Sequence, residues 1–201
     1  MSLSSTPYPT IEATTPLGIA IADYFGALAP VFANGRNGKF EVIVFGGCAF
    51  HVHTQARGSV DIDAEIASHG HARRDEIVTL LAKDTFTFVD ERDQVATLRL
   101  DHGFNTTLGP LHEDYIDRVV RLSTPSAIPN IEVYIAGALD LAISKLGRFS
   151  ERDRLDILTL LALPHANVNE FERLATEALS YYVGHADQVR GNLKIVLKEL
   201  N

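Results

Sequence analysis

The stretch "FEVIVFGG" (40–47) constrains this chain more than any other. It is short, apolar and β-branched, and it stops at two glycines. That pattern predicts a buried strand entering a tight turn. After "CAFHVHTQ", with room for one or two helical turns, comes "SVDIDAEI" (59–66), which reads as the next strand. Alternation puts Val60, Ile62 and Ala64 on one face and Asp61, Asp63 and Glu65 on the other. Asp is a poor strand former. Two carboxylates this close repel and raise each other's pKa unless a cation sits between them. Either this face is solvated, or Asp61 and Asp63 share a metal.

The order strand, Gly46–Gly47, helix, strand carries a chemistry of its own. Glycines after a strand let backbone N–H groups approach an anion with no Cβ in the way. A helix starting there adds its positive end. The arrangement suits a triphosphate. Mg²⁺ takes one or two carboxylates and completes its shell with phosphate oxygens and water. Asp61 and Asp63 are such a pair, and metal binding relieves their repulsion. Alone, a D-x-D or a G-G is a common surface feature. In this order and spacing they point to one site.

The rest of the chain sets that site in context. Length, 201 residues, predicts one domain, or a core with a small second lobe. "LGIAIADYFGALAPVF" (17–32) has helical spacing, with Pro30 near its end. "ARRDEIVTLLAKD" (72–84) reads as a helix buried along Ile77, Leu80 and Leu81. "TFTFVD" and "QVATLRL" read as strands around "ERD", "DHGFNTTLG" is ambiguous, and "RVVRLST" and "IEVYIAG" are further strands. From about residue 136 four apolar-periodic stretches predict helices. The expected division is an irregular lead (1–15), a mixed α+β core (16–135) and a helical C-terminal subdomain (136–201).

Composition excludes some roles. One Cys rules out an internal disulfide framework and suits a reducing cytosol. The start resembles no signal peptide and no apolar run has membrane-spanning length, so the expected location is cytoplasmic, with no membrane partner. A net charge of −8 argues against nonspecific nucleic-acid binding.

The segment "FGGCAFHVHTQARGSVDIDAEI" resembles the G-G/S…R-x-[ST]-x-D-x-D signature of the DNA polymerase beta-like nucleotidyltransferase superfamily. The resemblance implies a mixed sheet flanked by helices, with Gly46, Gly47 and Ser59 on the nucleoside triphosphate and Asp61 and Asp63 on Mg²⁺ or Mn²⁺. Arg57 matches the basic position before the motif. Cys48 stands where relatives have a small residue, and nothing nearby marks it as an activated thiolate. His51 and His53 lie near the cradle without a recognised metal-ligand spacing. One of them is a candidate to line the nucleotide pocket.

A second segment, "DLAISKLGRFSERDRLDILTL" (140–160), is similar to the K…R-D-x-x-D stretch of AbiEii-like toxin–antitoxin nucleotidyltransferases and of related uncharacterised bacterial families. It implies Lys145 on phosphates, with Asp153 and Asp156 completing the nucleotide site. Ser150-x-x-Asp153 also fits a capping box, and both acids have Arg148 and Arg152 within reach for pairing. "LGPLHEDYIDRVV" (108–120) resembles a recurring feature of the same bacterial group; local ion pairs among His112, Asp114 and Arg118 are the alternative. Superfamily members carry a third catalytic carboxylate on a later strand, and Asp101 is the candidate, with a plain turn residue as the alternative. Tyr181 and Tyr182 are expected to pack the last helices.

The function expected from all this is transfer of a nucleoside monophosphate from an NTP to an RNA end, a protein side chain or a small molecule. A toxin–antitoxin role, with a cognate antitoxin or an acceptor macromolecule as partner, is part of that expectation. The alternative is a catalytically degenerate binding or regulatory protein on the same fold.

Overall fold

Phe40–Val44 is buried at every residue, and it forms β2, an interior strand one place in from the edge of a five-stranded sheet. The computed structural model describes residues 7–125 and 127–200, so residues 1–6 of the expected irregular lead lie outside the described residues. Within that lead, Thr10–Glu12 forms a strand, β1. The other strands of this sheet are β4 (Ala64–Ser68), β7 (Val120–Ser123) and β8 (Ile131–Ile135). The order is β1-β7-β8-β2-β4, with β1 parallel to β7, β8 parallel to β2, and antiparallel pairs elsewhere. A second sheet of three strands runs β3-β6-β5, from β3 (Asp61–Ile62), β6 (Val95–Leu100) and β5 (Phe86–Val89).

The chain divides into two compact units. The first takes the residues up to 104 and 119–135, and the second takes 105–118 and the chain from 136 onward. In the first unit, Thr15 caps α1 (Pro16–Tyr24) by accepting from the Gly18 amide, and Pro16 opens the helix. The single helix expected over 17–32 is instead broken. A 3₁₀ turn covers Phe25–Leu28, and a short α2 covers Ala29–Phe32. Pro30 explains the break, because it has no N–H for an i−4 carbonyl and clashes with a continuing helix. Phe25 and Phe32 then reach Phe40, with ring centroids 5.9 and 5.6 Å away. The Tyr24 hydroxyl donates to the Leu81 carbonyl and accepts from the Leu100 amide, tying α1 to α4 (Arg74–Lys83) and β6. In α4, Ile77 and Leu81 are buried. Leu80, expected beside them, is exposed, because a helix lying on one narrow i, i+4 stripe hides only that stripe.

The second unit contains α5 (Ala138–Lys145), α6 (Glu151–Leu161), α7 (Val168–Tyr181) and α8 (Ala186–Leu200). Phe171, Leu174, Ala175, Ala178 and Leu179 form the buried face of α7 at helical spacing. The segment 105–118 belongs with these helices, although it was expected in the core. Two strong contacts hold it there. Arg118 makes a bidentate pair with fully buried Asp140 at 2.8 and 2.7 Å. His112 meets Glu177 at 2.9 Å. Among the described residues no helix is long and apolar enough to cross a membrane.

Candidate active site

β2 hands directly to α3 (Gly46–Thr54). The Phe45 amide donates to the Asp63 carbonyl at 2.8 Å, which carries the β2–β4 pairing one step past the strand ends. Gly46 then takes a φ of +61°, a left-handed conformation that favours glycine. A Cβ on Gly46 would lie 1.7 Å from Asp63 Oδ2, and one on Gly47 would lie 2.6 Å from Ser59 Cβ. Backbone, carboxylate and hydroxyl-bearing side chain thus form one continuous surface. The first intrahelical bond is Ala49 N to Phe45 O, so the amides of residues 46–48 precede the helical ladder at the positive end of α3.

The D-x-D run is the joint between the two sheets. Asp61 and Ile62 belong to β3 and pair in parallel with Arg99 and Leu100. One residue later the chain enters β4 of the other sheet. Ile62 is fully buried and anchors the joint, whereas Val60, which alternation puts on the same face, is exposed. Asp61 Oδ1 accepts from Arg99 Nε at 2.6 Å. The Asp61 amide donates to Ser59 Oγ at 3.2 Å. Asp101 directly follows β6, and its amide donates to the Ile62 carbonyl at 2.9 Å, which sets it beside Asp63 along the ladder. Its carboxylate accepts from the Gly103 amide, and Phe104 packs on Phe45 with centroids 5.3 Å apart. The ambiguous "DHGFN" is therefore a turn fastened to the head of α3. The Arg57 guanidinium stacks over Phe50 at 4.9 Å, with Nη1 3.6 Å from the place of a Gly47 Cβ.

Two neighbours are packing groups. Cys48 is fully buried, and its thiol faces the carbonyls of Ser59 and Asp61 at 3.3 and 3.4 Å. Burial, with the charges of Asp63 and Asp61, pushes its pKa up to about 12. It has no thiolate to attack with. His51 is buried against Thr15 Oγ1 at 2.8 Å, and burial lowers its pKa, which keeps it neutral.

The structure gathers Gly46, Gly47, Arg57, Ser59, Asp61, Asp63 and Asp101 in the first unit. Lys145, Asp153 and Asp156 form a separate cluster in the second. Lys145 Nζ lies 2.8 Å from Asp156 and 3.8 Å from Asp153, and all three side chains are buried. Asp153 completes a capping box with Ser150 and takes two 2.7 Å bonds from Arg148. Burial pushes its carboxyl upward, but the bonds from Arg148 and Ser150 outweigh that and hold it at about 2. Asp153 is thus an ionised helix cap, whatever else it does.

The family described as "Nucleotidyltransferase of unknown function (DUF6036)" matches residues 29–200. The chain belongs to this family. The matched span includes every candidate residue above. No curated protein matches it. Among solved structures it is similar to an antigenic nucleotidyltransferase-like protein from Paracoccidioides brasiliensis. The identity is 15%, the TM-score is 0.47, and the match covers 89% of this chain and 92% of that one.

Arg99 is the residue that sequence reasoning missed. A single Arg in "QVATLRL" gives no sign of its partner 38 positions away. Among the described residues no trio of His, Cys, Asp or Glu is arranged to hold a metal by itself. Two neighbouring carboxylates still fit the chemistry of Mg²⁺, which keeps waters and takes phosphate oxygens rather than needing an all-protein cage.

Proposed function

We propose that this protein is a Mg²⁺-dependent nucleotidyltransferase that moves a nucleoside monophosphate from an NTP to an acceptor hydroxyl or phosphate and releases pyrophosphate. Family membership supports the reaction class. The observation that carries the site is the overlap a Gly46 Cβ would make with the Asp63 carboxylate. It supports reading the glycine turn and Asp63 as parts of one site.

In this reading the amides at the head of α3 and the Ser59 hydroxyl orient the triphosphate, and Arg57 adds positive charge beside them. Asp61 and Asp63 would hold the metal, and Asp101 is the candidate third carboxylate. Mg²⁺, when bound, supplies charge neutralisation of the phosphates. The protein's own contribution is positioning and preorganised electrostatics. Lys145, Asp153 and Asp156 enter as the second cluster that the resemblance links to the nucleotide. The acceptor is an RNA end, a protein side chain or a small molecule. A cytoplasmic toxin–antitoxin component fits this chemistry. The net charge of −8 weighs against a nonspecific nucleic-acid surface.

A second reading, a binding or regulatory protein that has lost catalysis, is favoured by one observation. Asp61 is held by Arg99 in an ion pair that competes with metal. Calorimetry with each of the four NTPs, with and without Mg²⁺, separates the readings when run on the wild type and on D61A/D63A. Mg²⁺-dependent binding that the double variant loses is the expected result. Failure of every NTP to bind would overturn the enzyme reading.

A further inference from the structure

Arg99 is placed on Asp61 by the sheet. In the parallel β3–β6 pair Asp61 stands opposite Arg99, so the two side chains leave the same face as neighbours. By the same alternation Asp101 follows on that face two residues along, and its negative charge also acts on the guanidinium. One cation thus serves two carboxylates, the expected metal ligand Asp61 and the candidate third carboxylate Asp101. The contact is short, 2.6 Å, but it lies in water: the Arg99 and Asp61 side chains are 67% and 46% exposed. An exposed pair of this kind contributes little to stability and breaks readily. A guanidinium fits a phosphate as well as it fits a carboxylate.

We propose that Arg99 is the resident counter-ion of Asp61, and that it gives up its place to a divalent metal only when a nucleotide triphosphate arrives to take it. This rests on the nucleotidyltransferase reading above. A bare cation would have to displace Arg99 and then sit beside an unpaired guanidinium. A triphosphate turns the displacement into an exchange, in which Arg99 trades a carboxylate for a phosphate and Asp61 trades Arg99 for metal. Charge stays balanced throughout. Metal and nucleotide then load together, and the acids do not collect divalent cations on their own.

The test is Mn²⁺ binding without nucleotide, read by electron paramagnetic resonance, on the wild type, R99A, R99Q, D61N and R99A/D61N. Thermal midpoints check that each variant is folded, and R99Q keeps most of the side-chain bulk. R99A and R99Q are expected to bind Mn²⁺ about tenfold more tightly than the wild type, since a neighbouring positive charge is gone. R99A/D61N is expected to lose that gain. In parallel, calorimetry at saturating Mg²⁺ with the α,β-methylene analogue of each NTP is expected to show weaker binding to R99A, which lacks the phosphate contact. If R99A and wild type bind Mn²⁺ within about twofold of each other, while D61N weakens it, the Arg99 proposal falls and the metal reading stands. If Mn²⁺ affinity ignores D61N in every background, or no protein binds Mn²⁺ with or without the analogue, both fall.

Discussion

A methyl group at position 46 has nowhere to go. It would meet the Asp63 carboxylate at 1.7 Å on a backbone already in the left-handed region. Gly46→Ala is expected to cost about 1–2 kcal/mol from conformation alone, with the overlap adding to it. Its thermal midpoint should fall by several degrees, and NTP binding should fall with it, because Asp63 must move. Gly47→Ala meets Ser59 Cβ instead and should weaken binding with no comparable strain at Asp63. Unchanged affinity in Gly46→Ala would uncouple the glycine from the acid. At this scale much of the candidate site's local arrangement is legible in the sequence. Gly46, Gly47, Ser59, Asp61 and Asp63 lie within 18 positions, where strand alternation and turn chemistry act locally. Arg99 is not, because a register across 38 residues is chosen by packing and leaves no mark on either strand alone.

Between elements, the joint at Asp61–Asp63 decides how firmly the acids are held. "SVDIDAEI" reads as one strand, yet β3 and β4 belong to different sheets. Period-two alternation survives a change of partner, so the switch is silent in the sequence. What the alternation does reveal is Ile62, whose burial pins the acids on either side. Ile62→Ala is expected to cost about 2–4 kcal/mol and to weaken NTP binding as Asp61 and Asp63 loosen. Val60→Ala, at an exposed position, should stay within roughly 0.5 kcal/mol of the wild type. Urea denaturation of the pair measures both. Equal losses would mean that the joint does not depend on its apolar plug. The break of the first helix at Phe25 was half visible, since Pro30 marked an end but not where the preceding turn would tighten.

Across the whole molecule, the helical subdomain expected from 136 onward is incomplete without 105–118. The chain leaves the sheet unit after residue 104, visits the helices, returns at 119 for two strands, and leaves again at 136. Composition cannot show such a detour, because the visiting segment is neither helical in period nor apolar. Tyr115 packs into the unit, the Glu113 amide donates to the Tyr181 hydroxyl, and one ion pair is fully formed. Asp140 is fully buried and takes both bonds from Arg118. Arg118→Ala would leave that carboxylate without its bidentate partner, at a cost of about 3–5 kcal/mol. Urea denaturation should show this loss. A cost below about 1 kcal/mol would mean that the visiting segment is held by other contacts.

Cys48 has a consequence for the bench. The chain has one thiol, and it lies beneath the backbone of the Ser59–Asp61 turn. A maleimide or disulfide reagent reaches it only when that turn lifts away from α3. The labelling rate is therefore a clock for the opening of the acidic joint, built into the native protein. Slowing of that clock by a nucleotide or a metal reports occupancy directly, before any acceptor or product has been identified.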